Sequence, residues 1–274
     1  MIKRNDLKNK VYLHIGLGRS GSDFLQKKIF PKISNIKYVD RYISQKFNNF
    51  RINLFYNPFF NIKRDCKFSI KGRTLISSEN FFNPDYSLNQ LKEKINNFSK
   101  SPHIILVLRE PFSHLVSTYK YSVTHGNLWQ TIDDIFDFQN TRRARNMSNN
   151  IVFYKNFYDY KILINFLKNQ YKFVEIFKFE EIFYSYQSMN NFLNILKNRL
   201  NFDLKITFNK KNFLKLNSSL DDKEVEKKRI KNFKKTNNFI LNSNLKNTYF
   251  EAYYTKNFKK KFLDSLNFNY AKLF

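Results

Sequence analysis

The chain has 274 residues, 42% of them hydrophobic, a formal net charge of +27 and a single cysteine, Cys66. That length can bury a full core as one large domain, while one cysteine excludes an internal disulfide framework and a multi-cysteine zinc site. The apolar runs are far shorter than the roughly 20 residues of a membrane-spanning helix, and His14, His103, His114 and His125 have no metal-binding spacing. The positive charge attracts anions over a screening distance of about 10 Å at 0.1 M salt. Lys, Asn, Ile, Phe and Tyr are abundant together, as AT-rich coding produces, and the lysines are scattered apart from short clusters such as Lys259-Lys260-Lys261. Background composition, an anionic small ligand or an acidic glycan all accommodate that pattern; nucleic acid is the least favoured partner.

Met1–Lys10 is charged, and Val11–Ile15 is too short for a signal-peptide core, so a cytoplasmic protein is expected. Val11–Ile15 reads as a strand that opens through Gly16-Leu-Gly-Arg19-Ser20-Gly21-Ser22 into a helix over Ser20–Phe30. Strands follow at Ile36–Val39 and Thr74–Ser77, a helix at Leu88–Phe98, and a strand at His103–Leu108 that runs into Arg109-Glu-Pro111. Then come helices at Phe112–Thr124 and Tyr158–Asn169, a strand at Phe173–Phe177 and a helix at Gln187–Arg199. Short apolar runs alternating with helical patterns predict an α/β fold, a central parallel sheet covered on both faces in three layers. Ligands of such folds sit beyond the C-terminal ends of the strands. The tail predicts two charged helices, Asp221–Leu241 and Tyr249–Leu266, whose stripe of Val225, Ile230, Phe233, Phe250, Tyr254, Phe258 and Phe262 reads as core packing. With five glycines and five prolines there is no flexible tether. The expectation is a single domain over 1–274 with a helical portion from about 221 to 274.

A strand that opens through Gly and Ser into a helix offers backbone N–H groups to an anion. Gly16-x4-Gly21 has Walker A spacing, but Ser22 and Asp23 stand where that loop needs Lys and then Ser/Thr for magnesium. A cation, Arg19, lies inside the turn instead, which suits a diphosphate-like anion without a metal. The wider string, Tyr12 to Gln26, resembles the 5′-phosphosulfate loop of the sulfotransferase family, enzymes that transfer sulfate from 3′-phosphoadenosine-5′-phosphosulfate (PAPS). Arg19, Ser20, Gly21 and Ser22 match its pattern, and Arg at the cation position is similar to the carbohydrate and tyrosylprotein members. The resemblance implies a P-loop-NTPase-like architecture with no metal. Asp23 departs from the pattern: its carboxylate turns away, caps the helix, or marks lost activity.

Ile105–Tyr119 resembles the same family's 3′-phosphate site, Arg-x-Pro-x-x-Arg-x-x-Ser, with Arg109 and Ser117 in the phosphate-holding places. His114 stands where the family usually has Arg. Pro111 near a helix start loses least by lacking an N–H. Between the turns, Leu75–Phe81 resembles the segment that ends a strand with the catalytic carboxylate, which makes Glu79 the expected general base. Glu79 as a cap, or as a partner of Arg73, is the other reading, and His125 is the alternative base or an acceptor-site residue. His14, inside the first strand, reads as a core histidine. Weaker echoes occur at Val174–Glu181, Asn217–Ser219 and Tyr253–Asn257. The expected activity is transfer of a sulfuryl group from PAPS to an acceptor hydroxyl, on a carbohydrate or glycolipid, with Glu79, Arg19 and His125 as catalytic candidates. Arg19, Ser20, Gly21, Ser22, Asp23, Arg109 and Ser117 are the cofactor-binding candidates. A non-catalytic nucleotide- or glycan-binding protein and, less favoured, a P-loop kinase are the other readings. Segments 41–73 and 125–150 are expected to shape the acceptor pocket, with Tyr56, Phe59 and Phe60 either on a sugar face or in the core.

Overall fold

The computed structural model describes residues 10–39, 72–81, 87–125, 128–138, 153–214, 221–236, 254–266 and 268–273. Tyr56, Phe59, Phe60, Cys66 and the Asn217–Ser219 echo lie outside them. Two compact units are present: Met1–Glu110 with Ile162–Asn217, and Pro111–Lys161 with Ser218–Phe274. In chain order the strands among the described residues are β1 (Val11–Gly16), β2 (Lys37–Val39), β3 (Thr74–Ser78), β4 (His103–Leu108), β5 (Phe136–Asp137), β6 (Phe153–Tyr154) and β7 (Phe173–Lys178).

The first unit is built on a five-stranded sheet ordered β2-β3-β1-β4-β7. Every pairing in it is parallel. β1, β3 and β4 are buried along their whole lengths, and β1 and β4 accordingly run mostly apolar instead of alternating. The chain moves from β1 outward to β2 but from β3 across to β4 on the opposite side of β1. Right-handed crossovers then put the two intervening helices on opposite faces. The ligand crevice of such a sheet lies where the connections diverge, beside β1.

On one face, Tyr12, Leu75, Ile105, Val107 and Phe177 pack with Leu25, Ile29, Phe30, Met189, Phe192 and Leu196. The helix Leu88–Phe98 forms where the periodicity places it, and its start is closed by a capping box between Ser87 and Gln90. The helix expected at Ser20–Phe30 starts later and is not uniform. It begins as Ser22–Phe24, widens to a π-helix over Leu25–Ile29 and tightens to a 3-10 turn over Phe30–Lys32. Arg19 (φ 68°) and Gly21 (φ 78°) are left-handed, a conformation that no right-handed helix contains. Pro31, lacking an N–H, helps end it.

The second unit holds the helices Pro111–His125, Ile132–Ile135, Asp222–Thr236 and Lys256–Ser265, with β5 and β6 as a short parallel pair. Its core is aromatic: Phe112, Tyr119, Phe136, Tyr158, Phe258 and Phe262 cluster with Leu115, Val123 and Val225. The Arg229 side chain is buried within it, paired to Glu226 at 2.8 Å and donating through Nε to the Trp129 carbonyl at 3.1 Å. Of the tail stripe, Val225, Phe258 and Phe262 are buried, whereas Phe250 and residues 237–253 lie outside the described residues. No helix among the described residues is long and apolar enough to cross a membrane.

Burial pushes His14 down to about 3 and, with Lys10 and Arg73 facing it, pushes His103 down to about 4. Both stay neutral in the folded chain while the unfolded chain takes up protons near 6.5. Stability is therefore fully present above pH 6.5 and falls on acidification toward 4, by about 1.4 kcal/mol per pH unit for each histidine. Urea unfolding at pH 7.5, 6 and 5 should give that slope; a flat profile would place both imidazoles in water.

Candidate functional site

The Gly16–Ser22 turn leaves the C-terminal end of β1 as a closed loop. Leu17 is buried, its carbonyl accepting from the Ser20 amide at 3.2 Å and from Ser22 Oγ at 3.3 Å. The Phe24 and Leu25 amides both donate to the Gly21 carbonyl at 3.1 Å. Ser20 is fully buried, and its hydroxyl makes no hydrogen bond within the protein. Such a group needs a partner, because an unsatisfied buried hydroxyl costs about 1–3 kcal/mol. Arg19, at the crest of the turn, is exposed.

Gly16 and Gly21 are required by close approach. A Cβ on Gly16 would fall 2.0 Å from Ser22 Oγ and 2.9 Å from His14 Cε1. One on Gly21 would fall 2.4 Å from the Phe183 ring, in addition to its left-handed φ. Gly18 has nothing within 4 Å of the same position.

β4 lies beside β1, with Val107 in register with Gly16, so the second turn emerges next to the first. Arg109 is half-buried there. Its Nη1 donates to the carbonyl of Arg19 at 3.1 Å, and its guanidinium carbon lies 4.6 Å from the centroid of the Phe179 ring. Phe179 stacks on Phe183 at 4.6 Å, and Phe183 is the ring that backs Gly21. The two turns predicted separately are thus one cluster, with Arg109 held by a hydrogen bond on one side and a cation–π contact on the other. Sequence reasoning passed over Phe179 and Phe183. They fall in the Val174–Glu181 echo and just beyond it, but 18% aromatic content hides two more phenylalanines.

Glu79 opens a 3-10 turn, Glu79–Phe81, at the C-terminal end of β3, half-buried. β3 is the other neighbour of β1, with Ser78 in register with Ile15, so the expected base ends the strand beside the loop. Arg73 does not pair with it: its Nη2 donates to Tyr12 Oη and to the carbonyls of Leu200 and Asn201. The Asp23 carboxylate lies 3.7 Å from Lys27 Nζ, one turn along the helix, with both side chains about half exposed. Nearby acids are similarly engaged: Glu180 Oε1 accepts from the Glu110 amide at 2.9 Å, and Glu181 pairs with Lys178 at 3.1 Å.

The remaining candidates belong to the second unit. Ser117 is half-buried on the helix Pro111–His125. His114, which a surface reading of that helix would expose, is buried beside the rings of Phe157 and Tyr158 at 5.6 and 5.7 Å. His125 is exposed at the helix end, stacked on Tyr121 at 4.3 Å, with Nδ1 2.8 Å from Thr124 Oγ1 and 3.2 Å from the Tyr121 carbonyl. No group of His, Cys, Asp and Glu among the described residues could hold a metal ion.

Among solved structures, the chain is similar to the mouse sulfotransferase SULT7A1 complexed with PAP, at 17% identity and a TM-score of 0.43, over 93% of this chain and 82% of that one. No family model matches the chain. No curated protein matches it either.

Gly16→Ala should lower stability by about 1–3 kcal/mol through overpacking against Ser22 and His14. Gly18→Ala, which adds its methyl in open space, should stay within about 0.5 kcal/mol of wild type. Thermal unfolding of the two variants side by side distinguishes a built loop from a passive glycine turn, in which both would behave alike.

Proposed function

We propose that the chain is a PAPS-dependent sulfotransferase acting on an acceptor hydroxyl, with a carbohydrate or glycolipid the favoured acceptor and the cytoplasm the favoured location. The observation that carries the reading is the single cluster of donors at the ends of β1 and β4. Arg109 bonds to the backbone of Arg19, and the buried Ser20 hydroxyl has no partner in the protein. That donor set fits a phosphate-type anion. PAPS, when bound, supplies a sulfuryl group joined to a phosphate leaving group. Ser20, Gly21 and Ser22 would hold the 5′-phosphosulfate together with Arg19, whose cation offsets charge growing on the departing phosphate oxygen. Arg109 would bind the 3′-phosphate, and the sequence motif enlists Ser117 for the same group. Glu79 would take the proton of the attacking hydroxyl; His125 is the alternative for that task. Asp23, drawn toward Lys27, would leave the loop to its cations.

A non-catalytic nucleotide- or glycan-binding protein is the second reading, favoured by the same Asp23, since a carboxylate beside the loop opposes an anion. A P-loop kinase would need the lysine that Ser22 replaces.

Calorimetry with adenosine 3′,5′-bisphosphate, ATP and AMP should show magnesium-independent preference for the bisphosphate. Arg109→Ala should weaken it at least about tenfold, the loss of one charge-assisted bond. Equal affinity for all three nucleotides would remove the sulfotransferase reading. Arg19→Ala should slow release of the bisphosphate from PAPS far more than it weakens bisphosphate binding. Parallel losses would make Arg19 a binding residue only.

A further inference from the structure

The sheet face that meets the helix after the loop carries a polar cluster to which the proposed chemistry assigns no task. His14, Ser77 and Gln26 are 0%, 1% and 0% exposed. His14 and Ser77 are register partners across β1 and β3, and Nδ1 lies 2.7 Å from Ser77 Oγ. Gln26 Nε2 donates to the same hydroxyl at 3.0 Å. A hydroxyl has one hydrogen. Ser77 Oγ, accepting from Gln26, keeps that hydrogen to give, and giving it to His14 Nδ1 puts the imidazole proton on Nε2. Nε2 makes no hydrogen bond within the protein. The ring lies against the loop, since a Cβ on Gly16 would meet both His14 Cε1 and Ser22 Oγ. Phe30 closes another side, edge-on at 5.0 Å.

We propose that His14 is a positioning residue for the anion loop: a neutral imidazole, fixed as the Nε2–H tautomer by the Ser77 hydroxyl, on which Gly16 and Ser22 rest. The inference builds on reading Gly16–Ser22 as an anion site. The groups around the ring, Ser77, Gln26, Phe30, Gly16 and Ser22, are all uncharged, and the burial that holds His14 near 3 keeps it neutral. Positive charge at this end of β1 is therefore carried by Arg19 and not by the floor beneath it. The same rung joins two strands at a useful level. His14 is two residues before Gly16 and Ser77 two before Glu79, so the hydrogen bond sets the spacing of the loop and the carboxylate one pleat further on.

Long-range 1H–15N NMR on the full chain reads the tautomer directly. Ser77→Thr and Ser77→Val, two side chains of nearly equal size, keep and remove the hydroxyl. The expected result is a neutral Nε2–H pattern in wild type and Ser77→Thr with no titration near 6.5. Ser77→Val should lose that pattern, shift the Gly16 and Gly18 amide resonances, and weaken adenosine 3′,5′-bisphosphate binding about tenfold at an unchanged circular dichroism spectrum. An Nδ1–H tautomer, an imidazole titrating near 6.5, or a Ser77→Val chain with unmoved loop amides overturns the proposal. If Ser77→Val does not fold, the wild-type tautomer decides. If wild type does not bind the bisphosphate, the sulfotransferase reading fails, while the tautomer and the loop amides still judge His14.

Discussion

The hydrogen bond from Arg109 Nη1 to the carbonyl of Arg19 is the contact on which the site depends. Arg19 is not a glycine, yet it adopts a left-handed conformation (φ 68°), which costs an L-residue about 1–2 kcal/mol. The geometry that exacts that cost also turns the Arg19 carbonyl toward β4, where a guanidinium meets it. From there contacts return to the loop through Phe179, Phe183 and Gly21. Backbone strain of this sort persists where neighbouring contacts over-determine it. Here a cation, two stacked rings and a glycine do so.

That closed chain of contacts requires β1 and β4 to be neighbours, although about 90 residues separate their C-terminal turns. The strand order β2-β3-β1-β4-β7 provides the adjacency and places β3, with Glu79 at its end, on the other side of β1. Three strand ends therefore bring Glu79, the Gly16–Ser22 loop and Arg109 to one edge. Parallel register then matters, because a one-residue slip turns every side chain to the opposite face. The polar rung between His14 and Ser77 is satisfied in only one register, which a neighbouring apolar pair such as Leu13 with Ile76 specifies less sharply.

The acids of the edge show how a basic chain accommodates carboxylates beside the proposed anion loop. Asp23 is drawn along its helix to Lys27, Glu181 to Lys178, and Glu180 to a backbone amide. Each of the two exposed pairs contributes little to stability.

The sequence alone determined the elements and the donors. Runs such as Val11–Ile15 and His103–Leu108 are apolar apart from one histidine each, as suits strands buried on both faces. The turn after Val11–Ile15 was legible in its glycines and serines, and the helix Leu88–Phe98 in its period. Tertiary structure decided the rest. That Arg109 bonds to the first turn follows from strand order, which has no local signature. The late start and π-helical widening after Gly21 follow from two left-handed residues and from the packing of Leu25, Gln26 and Ile29 against the sheet. His14 could be read only as a core histidine, and His114 only as the residue in an arginine's place, for the same reason. A histidine's surroundings are set by residues 63 positions away at Ser77, or by two rings at Phe157 and Tyr158, and no window along the chain contains them.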